Sequence, residues 1–336
     1  MGRPVASLLP KPVMTPPAAA PAFLAAHGWE GATIAPLAGD ASFRRYFRVH
    51  AATGNTAVLM DAPPDKEDSR PFLAIGKTLD AFGFSAPQPI AADLEQGLIL
   101  LEDFGDRRVG AVLAREPERE AQVYATAIDI LVALHAHPAP GIARYDTAEL
   151  RREARLLPEW YLPAVGIAEA PGYDAAWDSL WPHVTAGPPV LTLRDYHADN
   201  LMIIDRPGVR GLGLLDFQDA LAGHPAYDLA SLLQDIRREV APDLEAAMLD
   251  RYLARRSQVD AAAFRTAYDI LATQRNVKIL GIFTRLHVRD GKPGYLAYHP
   301  RLWQLIERGL ARPALAPVAA WFAAHVPAAA RLGVRA

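Results

Sequence analysis

Two aspartates and an asparagine stand at spacings that suit phosphoryl transfer. Asp195 precedes Asn200 by five residues, and Asp216 follows Asn200 by sixteen. Between Asn200 and Asp216 run two short apolar stretches, Leu201–Ile204 and Leu212–Leu215, with Arg206-Pro207-Gly208 between them. That pattern predicts a tight β-hairpin. An Asp on the loop before the hairpin can accept a proton from an attacking hydroxyl. The Asn and the later Asp can then hold the metal ions that bridge nucleotide phosphates. The bland alternative, a polar loop capped by Asp and Asn at turns, leaves the two flanking strands unexplained.

The residue types follow from the reaction. Phosphoryl transfer asks little covalent help of a protein and much positioning and charge stabilisation. Magnesium is a hard ion. It takes oxygen ligands, usually one or two from protein and the rest from phosphate and water. A carboxamide and a carboxylate joined by a hairpin suit that demand.

These residues need elements to position them. A helix is expected over 21–29, ending at Gly28. β-like runs follow at Thr33–Leu37, Phe43–Val49 and Ala57–Asp61, with turn residues between them, and predict an antiparallel meander. Phe72, Ile75, Leu79 and Phe82 have helical spacing over 71–82, and Gly83 stops the helix. Leu98–Leu101 is a further strand, running into the polar hinge Glu102-Asp103-Phe104-Gly105. From Glu116 the chain reads as mainly helical, with Val123, Ala127, Ile130, Leu131 and Leu134 on one apolar face. The expected fold class is α+β with two lobes: a Pro/Ala-rich tail over 1–20 taken as disordered, a small β-rich lobe over 21–103, and a larger helical lobe over 104–336. Nucleotide is expected in the cleft between lobes.

Bulk properties narrow the function classes. The chain has 336 residues, of which 51% are hydrophobic and 22% charged, ordinary for a soluble globular protein. The net charge of −3 gives no electrostatic reason to expect a nucleic-acid partner. The absence of cysteine excludes disulfides, thiolate metal sites and a Cys nucleophile, and it is compatible with a reducing cytoplasm. No apolar run reaches the roughly 18 residues of a membrane span. Prolines at 4, 10, 12, 16 and 17 argue against a secretory leader, and Met14 is a second candidate start. There is no His-Glu-x-x-His and no Gly-x-Ser-x-Gly, which disfavours zinc and nucleophilic hydrolases.

The segments Arg194–Met202, Leu214–Phe217 and His224-Pro225-Ala226-Tyr227-Asp228-Leu229-Ala230 resemble the aminoglycoside phosphotransferase and choline kinase superfamily, of protein-kinase-like fold. The likeness runs from about Gly39 to Trp303. Segments 39–48, 59–63 and 274–283 are similar to the anomeric N-acetylmuramate/N-acetylglucosamine kinases of bacterial cell-wall recycling. These place phosphate from ATP on the C1 hydroxyl of the free sugar. The resemblance implies ATP and Mg2+ as cofactors and a small amino-sugar substrate. It implies Asp195 as catalytic base, Asn200 and Asp216 as metal ligands, and Glu102, Asp103 and Phe104 as the stretch that meets adenine. His197 would order the loop or touch the substrate, and Asp228 is expected to be structural. Gln218, Arg275 and Asn276 are candidates for the acceptor pocket.

One position departs from the superfamily pattern. The third strand usually carries a Lys that binds nucleotide phosphates, and here Met60 stands there. Lys66 and Lys77 are the lysines of the small lobe, and Lys77 reads as solvated. Arg44 and Arg48, on one face by alternation, or the turn that includes Ser42, could take over phosphate binding, since guanidinium suits phosphate oxygens. The alternative for these arginines is a solvated surface strand. Other acceptors (an aminoglycoside, choline or homoserine) stay open, as does a nucleotide-binding scaffold without turnover, for which Met60 is the only support.

Overall fold

The computed structural model describes residues 14–39 and 43–334. Ser42 and the first thirteen residues of the tail lie outside them. The chain divides into two units. One takes in the described residues up to Lys77 together with Ala86–Gly105, and the other Thr78–Ser85 with the residues from Asp106 onward.

The first unit is built on an antiparallel sheet. Helix α1 (Ala20–Ala26) precedes strands β1 (Thr33–Gly39), β2 (Arg45–His50) and β3 (Thr56–Asp61). Strands β4 (Pro89–Asp93) and β5 (Leu98–Glu102) complete the sheet in the spatial order β1-β2-β3-β5-β4, and helix α2 (Arg70–Ala81) runs from this unit into the second. The two-residue period of the strands decides their faces. Phe47, Val49, Ala57, Leu59, Leu98 and Leu100 bury one face against Ala20, Phe23 and Leu24 of α1. Phe47 is wholly buried, and that alone contributes ~2–3 kcal/mol. The opposite face is apolar too, through Met60, Ile99 and Leu101, all buried. Strand β4 was not anticipated, because Pro87 and Pro89 obscure it. It lies at the sheet edge, where proline removes no interior ladder bond.

The second unit is mostly helical: α3 (Val109–Arg115), α4 (Glu120–Leu134), α5 (Thr147–Ala154), short α6 (Leu162–Ala164), α7 (Tyr173–Asp178) and α8 (Trp181–Thr185). Four short strands come next: β6 (Val190–Thr192), β7 (Leu201–Ile203), β8 (Leu212–Leu214) and β9 (Leu221–Gly223). Then follow α9 (Ala226–Leu233), α10 (Pro242–Arg255), α11 (Ala261–Val288), α12 (His299–Leu310) and α13 (Ala316–His325). The five apolar positions read on α4 are all buried. The 28-residue α11 starts at Asp260, whose carboxylate accepts from the amides of Ala262 and Ala263, both at 2.9 Å, a side-chain N-cap. It packs on α9, α5 and α12. Gly281 lets it approach the backbone carbonyl of Leu156, where any Cβ would collide.

Two local expectations change. The β7–β8 pair forms in the register Leu201↔Leu214 and Ile203↔Leu212, but its connection is no tight turn. A helical turn over Gly208–Gly211 lengthens it, because Pro207 and the positive φ of Gly208 start a turn instead of closing a two-residue loop. The β6–β9 pair, Val190↔Gly223 to Thr192↔Leu221, was also unforeseen. It joins segments far apart in sequence and has no hairpin signal.

Candidate active site

The loop bearing Asp195 leaves β6 under backbone strain. Arg194 has φ of +70°, and the amide of Asp195 donates to the carbonyl of Leu193 at 2.9 Å. This is the bond of a γ-turn, whose positive-φ form is rare and strained. Asp228 on α9 holds it. That carboxylate is fully buried and accepts from the amides of Leu193 at 2.7 Å and Arg194 at 2.8 Å. Tyr196, also buried, donates its hydroxyl to the carbonyl of Ala127 on α4 at 2.8 Å. The half-buried Asp195 therefore sits between two anchored neighbours.

Asn200 and Asp216 are brought beside it by the β7–β8 ladder. The amide of Leu215 donates to the carbonyl of Asn200 at 3.0 Å. The Nδ2 of Asn200 donates to the carbonyl of Asp195 at 2.9 Å and reaches Oδ2 of Asp216 at 3.4 Å. With the nitrogen engaged in this way, the carboxamide oxygen is the end able to serve a cation. Asp216 is itself at φ +57°, and Gln218 Nε2 donates to its Oδ1 at 2.9 Å and to Asp219 Oδ2 at 3.1 Å. A carboxamide oxygen and a carboxylate side by side form a donor set suited to a hard cation with phosphate and water completing the shell. Among the described residues no group of three or more His, Asp and Glu could hold a metal, so a cation here would depend on such outside ligands.

The remaining candidates fall in distinct places. His197 is buried, and its Nε2 accepts from Arg237 Nη1 at 3.2 Å with Asn200 Nδ2 at 3.3 Å. Burial, then Arg237, Arg275 and Arg108, push its pKa well below the usual imidazole value, so it is a neutral acceptor that braces Asn200. Arg275 is buried near His197 and Asp235, whose carboxyl is raised by burial. Asn276 is fully buried and donates to Gln234 Oε1 at 2.9 Å, inside the helical packing.

A cluster that no sequence spacing announces lies next to the Asp195 loop. Glu153 of α5, almost wholly buried, is shared by Arg194, by Lys278 Nζ at 2.7 Å and by the hydroxyl of Tyr145. Burial works to raise the Glu153 carboxyl, but Lys278 and Arg194 outweigh it and hold it at about 2. Arg194 Nη1 also donates to the carbonyl of Asp219 at 3.0 Å. Lys278 lies within the segment 274–283 already singled out. Glu153 sits in a mixed Arg/Glu run that carries no motif.

In the first unit Met60 is fully buried, opposite Tyr46 and Ile99. Lys66 and Lys77 are exposed, and Lys66 pairs with Asp65 at 3.2 Å. Arg45 pairs with Asp61 across β2 and β3 and covers the Phe47 ring. Arg48 grips the polar stretch after β5. Its Nε meets Asp103 Oδ2 at 2.8 Å, and its Nη2 donates to Asp103 Oδ1 at 3.1 Å and to the Gly105 carbonyl at 3.0 Å. Burial opposes ionisation of Asp103, but the Gly105 amide and Arg48 more than offset it and lower its pKa. Glu102 ends β5, with its amide donating to the Gln88 carbonyl at 2.9 Å, and Phe104 is half-buried beside Gly105, whose φ is +78°. Arg44 is buried at the other end of β2, with Nε 4.0 Å from Glu67 Oε2. Among the described residues no helix is long and apolar enough to cross a membrane.

Comparison with known proteins gives this geometry a context. The chain is 38% identical to an N-acetylmuramate/N-acetylglucosamine kinase of Caulobacter vibrioides, over 94% of this chain and 98% of that protein. It is 37% identical to a protein of the same name from Pseudomonas aeruginosa, over 87% and 89%. Among solved structures, an ethanolamine kinase of Plasmodium vivax matches with a TM-score of 0.59 at 11% identity, over 85% of this chain and 83% of that one. A macrolide 2'-phosphotransferase of Brachybacterium faecium matches with a TM-score of 0.54 at 18% identity, over 84% and 97%. These likenesses establish the kinase-like fold. The model of the phosphotransferase enzyme family (APH) matches residues 33–268, a span that takes in the Asp195 loop, the β7–β8 ladder and the Asp228 anchor. On that match and on the identity to whole relatives, the chain belongs to the phosphotransferase enzyme family.

Proposed function

We propose that this chain is an ATP-dependent kinase that phosphorylates the anomeric C1 hydroxyl of N-acetylmuramate and N-acetylglucosamine. The observation that carries the reading is the near full-length identity to relatives of that name, in a chain whose Asp195, Asn200 and Asp216 are joined by hydrogen bonds. Asp195 accepts the proton of the sugar hydroxyl. The C1 hydroxyl is more acidic than other sugar hydroxyls, because the ring oxygen withdraws electrons from the same carbon, so a carboxylate suffices as base. Asn200 and Asp216 would hold Mg2+, which would supply charge stabilisation for the transferring phosphate. Gln218 fixes the Asp216 carboxylate, and His197 fixes Asn200.

For ATP, Arg44 supplies the cation that Met60 does not. Arg48 is committed to Asp103 and Gly105, so its part is to shape the stretch 102–105 that meets adenine. Arg44 stands at the far end of β2, roughly 13 Å away at the rise of a strand, next to the turn that includes Ser42. The substrate is a small amino sugar, and nothing in the charge calls for nucleic acid. A cytoplasmic site of action on recycled cell-wall sugar is part of the same reading.

The test is a coupled ADP-release assay with both sugars, their methyl glycosides and their open-chain alditols, with product phosphate located by phosphorus NMR. Both free sugars should be phosphorylated at C1, and glycosides and alditols should be inert. Phosphate on a methyl glycoside would move the reaction to another hydroxyl and favour a different small-alcohol acceptor.

A further inference from the structure

We propose that Lys278 is a specificity residue that binds the lactyl carboxylate of N-acetylmuramate, the group that N-acetylglucosamine lacks. The inference rests on the sugar-kinase reading and adds to it the means by which one site favours the acidic sugar.

The ammonium of Lys278 is placed by two fixed partners. It meets Glu153 Oε1 at 2.7 Å and donates to the Tyr227 hydroxyl at 3.2 Å. An ammonium has three hydrogens, so a third donor has no partner among the described residues. The side chain is 12% exposed, enough to meet a solute but too little to be a freely solvated lysine. Its location ties it to catalysis. Arg194, which directly precedes Asp195, contacts the same oxygen, Oε1 of Glu153. Lys278 is thus one shared atom away from the residue that sets up the base.

Charge at this spot favours an anion. Glu153 is a single buried carboxylate shared by two cations, and a third, Arg152, lies 3.9 Å from the same oxygen. Arg152 is exposed and paired with Glu149. Arg194 also feels Asp195, whereas among the described residues Lys278 pairs with Glu153 and lies beside the Tyr227 ring. A second carboxylate would complete both its hydrogen bonding and its charge balance, in a half-buried setting where ion pairs are screened less than in water. N-acetylmuramate is N-acetylglucosamine with a lactyl ether at C3, two ring carbons from C1. In this reading the C1 hydroxyl faces Asp195 and the lactyl carboxylate reaches Lys278. The carboxylate is ionised at neutral pH.

The decisive experiment changes the ligand and leaves the protein intact. The wild-type chain is assayed with N-acetylmuramate, its lactyl methyl ester and N-acetylglucosamine. The acid should exceed the ester in kcat/KM by about 10-fold or more, the size of one charge-assisted hydrogen bond, mainly through KM, and the advantage should shrink at high salt. Lys278→Met should bring acid and ester together, and Lys278→Arg should restore part of the gap. Melting temperatures of both variants confirm folding. An ester as good as the acid in the wild type overturns the proposal. So does a Lys278→Met variant that loses the same factor on all three compounds, because Lys278 would then serve only to hold Glu153 and Arg194. A wild-type chain inert on both sugars removes the sugar-kinase reading and this one with it, an outcome distinct from a chain that phosphorylates both and ignores the ester.

Discussion

The carboxylate of Asp228 accepts the backbone amide of Arg194 at 2.8 Å across 34 residues of sequence. With the Leu193 amide it pins the strained turn from which Asp195 projects. Asp228→Asn keeps the size and substitutes a donor where two amides already donate. Turnover should fall by roughly 100-fold, the cost of displacing a reacting group by about 1 Å. Stability should drop by about 2 kcal/mol for the buried hydrogen bonds lost. Steady-state rates and thermal unfolding measured together check this. Normal turnover in a destabilised variant would show that the turn does not need the clamp.

Asp195→Asn removes the proton acceptor and preserves shape. Turnover should fall by about 100-fold or more, with nucleotide binding retained in a fluorescence or calorimetric titration. Near wild-type turnover would take the role of base away from Asp195.

The paired oxygens of Asn200 and Asp216 predict graded metal effects. Asp216→Ala should abolish magnesium-dependent transfer, and Asn200→Ala should raise the magnesium concentration needed for half-maximal rate. Gln218→Ala, which removes one donor to Oδ1 of Asp216, should shift the same curve less. Full activity in excess chelator would refute a metal-assisted transfer.

Arg44 and Arg48 should separate in their effects. Arg44→Ala should raise the KM for ATP and lower kcat, as expected for a cation on transferring phosphates. Arg48→Ala should loosen the Asp103–Gly105 stretch, weakening adenine nucleotides and lowering the melting temperature. Lys66→Met and Lys77→Met should change neither. Loss of ATP use in a lysine variant, with both arginine variants normal, would reverse the assignment.

The histidines predict an asymmetric pH response. His197, His135 and His224 are all lowered, first by burial, and His224 falls to about 4. His197 is therefore neutral from about pH 6 to 8, and kcat should show no histidine step there. Stability behaves differently. Below the ordinary imidazole value of 6.5 the unfolded chain binds protons that the folded chain refuses. Each such group then costs up to about 1.4 kcal/mol per pH unit until its folded pKa is reached. Melting temperatures recorded from pH 7 to 5 should fall steadily, and a flat profile would contradict the burial of these rings.

Residue spacing points to phosphoryl-transfer chemistry and to most of the local structure. Asp195, Asn200 and Asp216 were legible as candidates because one loop and one strand pair carry all three within a single short stretch of sequence. The faces of β2, β3 and α4 were legible because apolar spacing matches the period of a strand or helix. How the Asp195 loop is held, and which cations are committed, depends on tertiary contacts. The Asp228 clamp, the sharing of Glu153 by Arg194 and Lys278, and the grip of Arg48 on Asp103 join residues 34 to 125 positions apart. Contacts of that range leave no spacing to read. They form because a buried carboxylate or guanidinium must find partners wherever folding places them. The edge strand β4 and the β6–β9 pair were hidden for a related reason: pairing energy comes from the neighbouring strand, and no local propensity announces it.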